Sequence, residues 1–154
     1  MPKVVKYEPS QYNDAVKHMK HINAIVLVFH PQCGHCVQLR PTWDQMVSQA
    51  PAKANIIEVN AESMSESPSM SQSEIGRKTE GFPSIMRLKN GRVVESFQQE
   101  RNVPNMLGFV KKSMGDMVIH KKRKTNKQHN QHNQHKRKKA QKTQKRRKTQ
   151  KKRE

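Results

Sequence analysis

The sequence predicts an α/β fold in which a central mixed sheet is covered by helices on both faces. Three observations carry this reading. Ile25-Val26-Leu27-Val28-Phe29 is apolar without alternation, the pattern of a strand buried on both faces. Strand-like runs alternate with segments of helical spacing. The last two strand-like runs flank Asn90-Gly91, a strong signal for a tight hairpin turn.

Taken in order, Val4-Val5-Lys6-Tyr7 reads as a short first strand. Pro9 and Ser10 then open a helix to about His21, with Tyr12, Val16 and Met19 at core spacing. Residues 23–29 form the central strand. A helix follows from Gly34 to Ser48, with Val37, Leu39, Trp43, Met46 and Val47 at helical spacing. Pro41 lies inside it, and a proline there removes a backbone donor and kinks the helix. Asn55-Ile56-Ile57-Glu58-Val59 is the next strand. Residues 61–73 are Ser-, Glu- and Met-rich and read as a loop entering a short helix near 72–78. Strands at 84–89 and 92–97 close the hairpin. Asn102 and Val103-Pro104 open a last helix whose buried side is Met106, Leu107, Phe109, Val110 and Met114. The element order is βαβαβαββα.

Charge divides the chain in two. Residues 1–119 hold 14 Lys+Arg against 11 Asp+Glu, a near-neutral stretch long enough to bury a core. Residues 120–154 hold 17 Lys+Arg against Glu154 alone, with no aromatic residue and no aliphatic one larger than Ala140. That segment cannot bury enough apolar surface to offset ordering entropy, so a disordered tail is expected. The expected organisation is a domain at 1–118 and a basic, His/Asn/Gln-containing tail at 119–154. No apolar run approaches the ~20 residues that span a bilayer, so no membrane partner is expected. The N-terminal stretch lacks a secretory h-region, which points to an intracellular protein.

The two cysteines sit together as Cys33-Gly34-His35-Cys36, between the apolar strand and the following helix. A CxxC at a strand-to-helix junction is the sequence form of a thiol–disulfide redox site. As a structural staple the pair is poor, because the loop it closes is tiny. Placed at a helix N-terminus, Cys33 meets free N–H groups and the positive end of the helix dipole, and His35 adds a second source of positive charge. Both favour the thiolate and thereby stabilise the dithiol, which makes the pair more oxidising. Cys33 is then the attacking sulfur and Cys36 the more buried resolving one. A zinc half-site with His30 and His35 is the alternative from the same residues, but no second CxxC exists. Neither a metal nor a cofactor is expected. Trp43 reads as core or rim packing, His30 as half-exposed filler, and the nine methionines as gap-filling residues.

Over residues 4–116 the chain resembles the thioredoxin-like superfamily, and within it the protein disulfide isomerase type of CGHC domain. The stretches that carry the resemblance are Val28 to Cys36, Leu39-Arg40-Pro41, Gly81-Phe82-Pro83-Ser84-Ile85 and Asn90-Gly91. It implies a thioredoxin fold and a protein disulfide oxidoreductase acting on thiols and disulfides of other proteins. Cys33, Gly34, His35 and Cys36 would form the catalytic motif. Pro41 would be the family's kink proline. Phe82 and Pro83 would bind substrate beside the thiols, with Pro83 in the cis form. Arg101 falls where the isomerase branch has an arginine believed to tune the second cysteine. The chain also departs from the pattern. Gln32 stands where a tryptophan is usual, and Val37 where a basic residue is usual. Leu27 replaces a buried acid thought to move the proton of the second cysteine, which argues against fast turnover. A redox-inactive binding module is the alternative.

The tail carries Lys121-Lys122-Arg123-Lys124, Lys136-Arg137-Lys138-Lys139, Lys145-Arg146-Arg147-Lys148 and Lys151-Lys152-Arg153, around an HNQ triplet repeat at 128–135. Blocks of like charge repel and stay extended. They attract phosphate polymers by counterion release, so nucleic acid is the expected partner of residues 121–153. Such clusters also serve as nuclear import signals. A short CGHC domain with a basic tail is similar in style to proteins of large DNA viruses that encode their own disulfide machinery, which extends the expected location to nucleus or virion.

Overall fold

The computed structural model describes residues 1–115. The expectations for the basic clusters, the HNQ repeat and the domain boundary at 118 lie outside the described residues.

Five strands form one mixed sheet in the order β1-β3-β2-β4-β5. They are β1 (Lys3–Tyr7), β2 (Ala24–Phe29), β3 (Asn55–Asn60), β4 (Ser84–Lys89) and β5 (Arg92–Ser96). Strand β3 pairs in parallel with both β1 and β2. Strand β4 runs antiparallel to β2 and to β5. The uninterrupted apolar run of β2 follows from this position: it has neighbours on both edges and helices over both faces.

The helices are α1 (Tyr12–Met19), α2 (Gly34–Gln49), α3 (Pro68–Ser71), α4 (Glu74–Lys78) and α5, which occupies residues 103–115. Two expectations need correction. Pro9 does not open an α-helix; residues Pro9–Gln11 make a 3-10 turn, and α1 begins at Tyr12. Glu8 and Gln11 cap that turn reciprocally, so the chain is held one turn longer before the helix starts. The stretch 61–73 is not a plain loop either. Pro68 starts α3, where its missing N–H costs nothing, and Ser73 caps α4 by accepting from the Gly76 N–H.

Alternation along β2 and β3 sorts the core into two clusters. Val26, Val28, Ile57 and Val59 face α1, α3 and α4, where Tyr12, Ala15, Met19, Met70 and Ile75 pack. Ile25, Leu27 and Ile56 face α2 and α5, where Leu39, Trp43, Met46, Met106, Phe109 and Val110 pack. At the hairpin, Asn90 and Gly91 both take positive φ (49° and 79°), the conformation that selects Asn-Gly. A side chain at Gly91 would also strike the Lys20 carbonyl, with Cβ only 2.5 Å from that oxygen.

Candidate active site

The central strand β2 ends at Phe29, and after the four residues 30–33 α2 starts at Gly34. Cys33 is the N-cap of α2, in extended conformation, and its sulfur does what a capping oxygen does elsewhere: it accepts the Cys36 N–H at 3.2 Å. The Cys33 carbonyl accepts from Cys36 and Val37, so the first turn closes on this residue. Cys33 is half-buried and Cys36 is buried, only 8% exposed; both are free thiols. A half-open sulfur above a covered one is the geometry of an attacking thiol and a resolving thiol.

Burial pushes the Cys36 thiol up to about 11, and its proximity to the Cys33 side chain adds to the rise. The His30 backbone and the positive charge of Arg101 pull in the opposite direction. The Cys36 sulfur is thus protonated at rest and a weak nucleophile.

The loop before β4 forms the facing wall. The Phe82–Pro83 peptide bond is cis, Pro83 is buried, and the Phe82 carbonyl accepts from the Cys33 thiol at 3.4 Å. The Phe82 ring lies beside the His30 ring, with centroids 5.7 Å apart and planes 35° apart. His30 is half-buried, and its Nδ1 accepts the Gln32 N–H, so the neutral ring carries its proton on Nε2. Arg101 donates from Nη2 to the Pro83 carbonyl at 3.1 Å. The residues singled out in the sequence therefore converge: Cys33, Cys36, Phe82, Pro83 and Arg101 surround one spot. Gly34 and His35 lie in the first turn of α2, exposed to solvent, and a Cβ at Gly34 would meet nothing within 4 Å. Pro41 sits two turns along α2, exposed, and leaves the Val37 carbonyl without its usual donor. Val37 is 64% exposed beside the pair, an apolar patch at the mouth of the site.

Sequence reasoning missed Glu58 and Arg40. Glu58 is 2% exposed in β3 and pairs in register with Leu27. Neighbours in register share a face, so its carboxylate points under α2. There Oε1 accepts the indole N–H of Trp43 at 2.9 Å and Oε2 accepts Arg40 Nη1 at 2.9 Å. Lys6 Nζ lies 3.6 Å from Oε2. Trp43, fully buried, is therefore core packing with its polar atom satisfied by an acid. The signal was present in Asn55-Ile56-Ile57-Glu58-Val59: Glu58 shares the parity of buried Ile56, so an acid on an inward position could have been flagged.

Among the described residues no group of three or more His, Cys, Asp or Glu side chains could hold a metal ion. No helix of the described residues is long and apolar enough to cross a membrane.

Comparison with known proteins agrees with this architecture. The sequence model of the thioredoxin family matches residues 3–112. The chain is 30% identical over 95 residues to the thioredoxin domain-containing protein 5 homolog of Drosophila melanogaster, covering 60% of this chain and 22% of that protein. It is 27% identical over 116 residues to a protein disulfide-isomerase of Datisca glomerata, covering 73% and 22%. The chain spans about a fifth of the length of these curated relatives. Among solved structures, the J-Trx1 fragment of ERdj5 superposes with a TM-score of 0.56 at 18% identity, over 71% of this chain and 50% of that one. The first thioredoxin domain of mouse protein disulfide-isomerase A4 gives 0.51 at 17% identity, over 70% and 72%. These structures share the fold.

Proposed function

Since the chain belongs to the thioredoxin family, we propose that it exchanges thiols and disulfides with protein substrates through Cys33 and Cys36. The observation that carries this reading is the half-open Cys33 sulfur capping α2 directly above the buried Cys36. In the reducing direction the Cys33 thiolate attacks one sulfur of a substrate disulfide. A Cys33–substrate disulfide forms, and the second substrate sulfur leaves as a thiolate. Cys36 then loses its proton and attacks Cys33. The Cys33–Cys36 disulfide forms, the substrate leaves as a second thiolate, and both substrate sulfurs take up protons. The protein dithiol is oxidised and the substrate disulfide reduced; the reverse sequence oxidises a substrate dithiol. The free N–H groups of the first turn of α2 stabilise sulfur anions at the attacked position. Phe82 and Pro83 line the approach, and a substrate strand lying there meets the exposed Val37. Reduction of insulin disulfides in the presence of a dithiol tests this. The wild-type protein is expected to turn over and Cys33→Ser to be inert; equal activity in the two contradicts the assignment.

A second reading is favoured by Leu27, an apolar residue packed beneath the pair: a redox-inactive domain that only holds its partner. In that case substrate binds equally well to Cys33→Ser, and no covalent adduct ever forms.

The basic segment completes the proposal. Its 17 Lys+Arg against one acid suit the backbone of a nucleic acid, and the absence of aromatic residues in 120–154 argues against base stacking. If about ten of these charges meet phosphates, the log–log salt slope of binding is near −9. Deleting residues 120–154 is expected to abolish salt-dependent retention on DNA while leaving insulin reduction intact. Retention by the truncated protein would contradict a role for the segment. The same charge clusters suit import into a nucleus or packaging with a genome.

A further inference from the structure

A buried carboxylate is costly unless something holds it, and an apolar pair in its place is often no less stable. Glu58 is therefore a feature for which packing alone gives no reason. It lies at the level of Leu27 in the sheet, on the face covered by α2. Its two strong partners, Arg40 and Trp43, stand four and seven residues after Cys36, on the same side of the helix. Arg40, Trp43 and Leu27 line a narrow, half-open void with no room for a water molecule, together with Cys36, Phe29 and Pro83. The guanidinium carbon of Arg40 lies over the Phe29 ring, 5.1 Å from its centroid, a cation–π contact that helps hold the cation. Glu58 itself is not in the wall of that void. Arg40 therefore shares a wall with Cys36, whereas the acid that holds it lies outside that wall.

We propose that Glu58 is a positioning residue for the resolving thiol, anchoring the Arg40 guanidinium in the wall behind Cys36 where it stabilises the negative charge that sulfur carries when it releases captured substrate. The inference rests on the proposed thiol–disulfide exchange and adds a residue to its second step. Without the anchor, Arg40 has an alternative partner in Asp44, 3.5 Å away on the solvent side of the same helix. Arg101 approaches from the opposite wall through the Pro83 carbonyl. The remaining charged or titratable neighbours are Cys33, His30 and His35 at the mouth and Lys6 behind Glu58. Arg101 lowers Cys36 from one side, and on this proposal Arg40, held by Glu58, supplies a second positive charge from the wall it shares with Cys36.

The direct test is titration of the Cys36 thiol by thiolate absorbance in a Cys33→Ser background, for the chain as it stands, for Glu58→Gln, and for the neutral pair Arg40→Met with Glu58→Gln. The double variant removes both charges together, so it avoids stranding a buried ion and keeps the fold testable. Cys36 is expected to titrate about one unit higher in the double variant and by a smaller upward shift in Glu58→Gln. Arg40→Lys alone should restore most of the ordinary value. In proteins that retain Cys33, a one-unit rise lowers the thiolate fraction at neutral pH tenfold and raises intrinsic nucleophilicity about threefold, so release should slow about threefold. The first attack by Cys33 should be unchanged. A Cys36 titration that does not move in the double variant, or moves downward in Glu58→Gln, overturns the inference. A purely structural role would shift the melting temperature and leave the titration where it was. If the titration moves as expected and the chain reduces no disulfide, the electrostatic assignment stands and the proposed exchange activity fails instead.

Discussion

The two faces of the sheet bury equal numbers of residues, thirteen in each cluster, yet they are built differently. The face under α1, α3 and α4 is closed by apolar side chains and by neutral hydrogen bonds, among them the Tyr12 hydroxyl to the Asn60 carbonyl at 2.7 Å. The face under α2 and α5 is bulkier, with Trp43, Phe97 and Phe109, and also holds a buried acid, Glu58, that accepts from the Trp43 N–H and from Arg40. One face is closed by packing; the other adds a buried ionic group that, on the proposal above, tunes Cys36.

The largest effects that can break this comparison come from core truncations on each face. Trp43→Ala should cost about 3–5 kcal/mol and Ile75→Ala about 2–5 kcal/mol in denaturant unfolding. Below the unfolding transition Ile75→Ala should leave Cys36 reactivity unchanged, whereas Trp43→Ala removes a donor to Glu58 and should alter it. Equal effects on Cys36 from both faces would erase the distinction.

A pH titration sharpens it. Cys36 is raised to about 11 in the folded protein, above its ordinary thiol value. The folded state therefore holds this proton more tightly than the unfolded chain does. Its contribution to stability is complete below about pH 8.5 and is lost as pH rises towards 11. Tyr7 and Tyr12 are also raised, chiefly by burial, and their contributions begin to fade only above about pH 10. The diagnostic is the difference between the reduced wild-type protein and Cys36→Ala, which should lose less stability between pH 9 and 11. Parallel curves would contradict a protonated, buried resolving thiol.

Smaller effects come from the wall of the site and from the surface. Arg101→Met removes the donor to the Pro83 carbonyl and a positive charge that lowers Cys36. It should slow substrate release several-fold with little change in melting temperature. On β5, Glu95 is held below the ordinary carboxylate value, first by Lys112 and then by Arg87. Its contribution is present above pH ~4.3 and fades as pH falls through its lowered value. Because the carboxylate is a third exposed, Glu95→Gln should cost less than about 1 kcal/mol at neutral pH and nothing at pH 2.

Much of this was legible in the chain. The apolar run of β2, the Asn90-Gly91 hairpin and the spacing from Cys33 to Pro41 and Pro83 are local or ordered patterns, and local patterns survive in one dimension. The Pro9–Gln11 turn and α3 were not read, because a proline is equally at home in the first turn of either helix type and a four-residue helix shows no period. Glu58 was passed over for a different reason. Its role depends on a strand register and on which side of α2 faces the sheet, and neither is written in the strand itself. Leu27 looked like a simple loss because its register partner was unknown. The convergence of Arg101 on Pro83 likewise became visible only when α5 and β4 were placed together.

The central claim is that Cys33 captures and Cys36 releases. The most direct measurement is mass spectrometry of Cys36→Ser mixed with a disulfide-bonded peptide. A stable adduct on Cys33 that a dithiol reverses is predicted, with none formed by Cys33→Ser. Absence of that adduct, or an equal one carried by Cys36 in Cys33→Ser, would contradict the assignment of the two sulfurs.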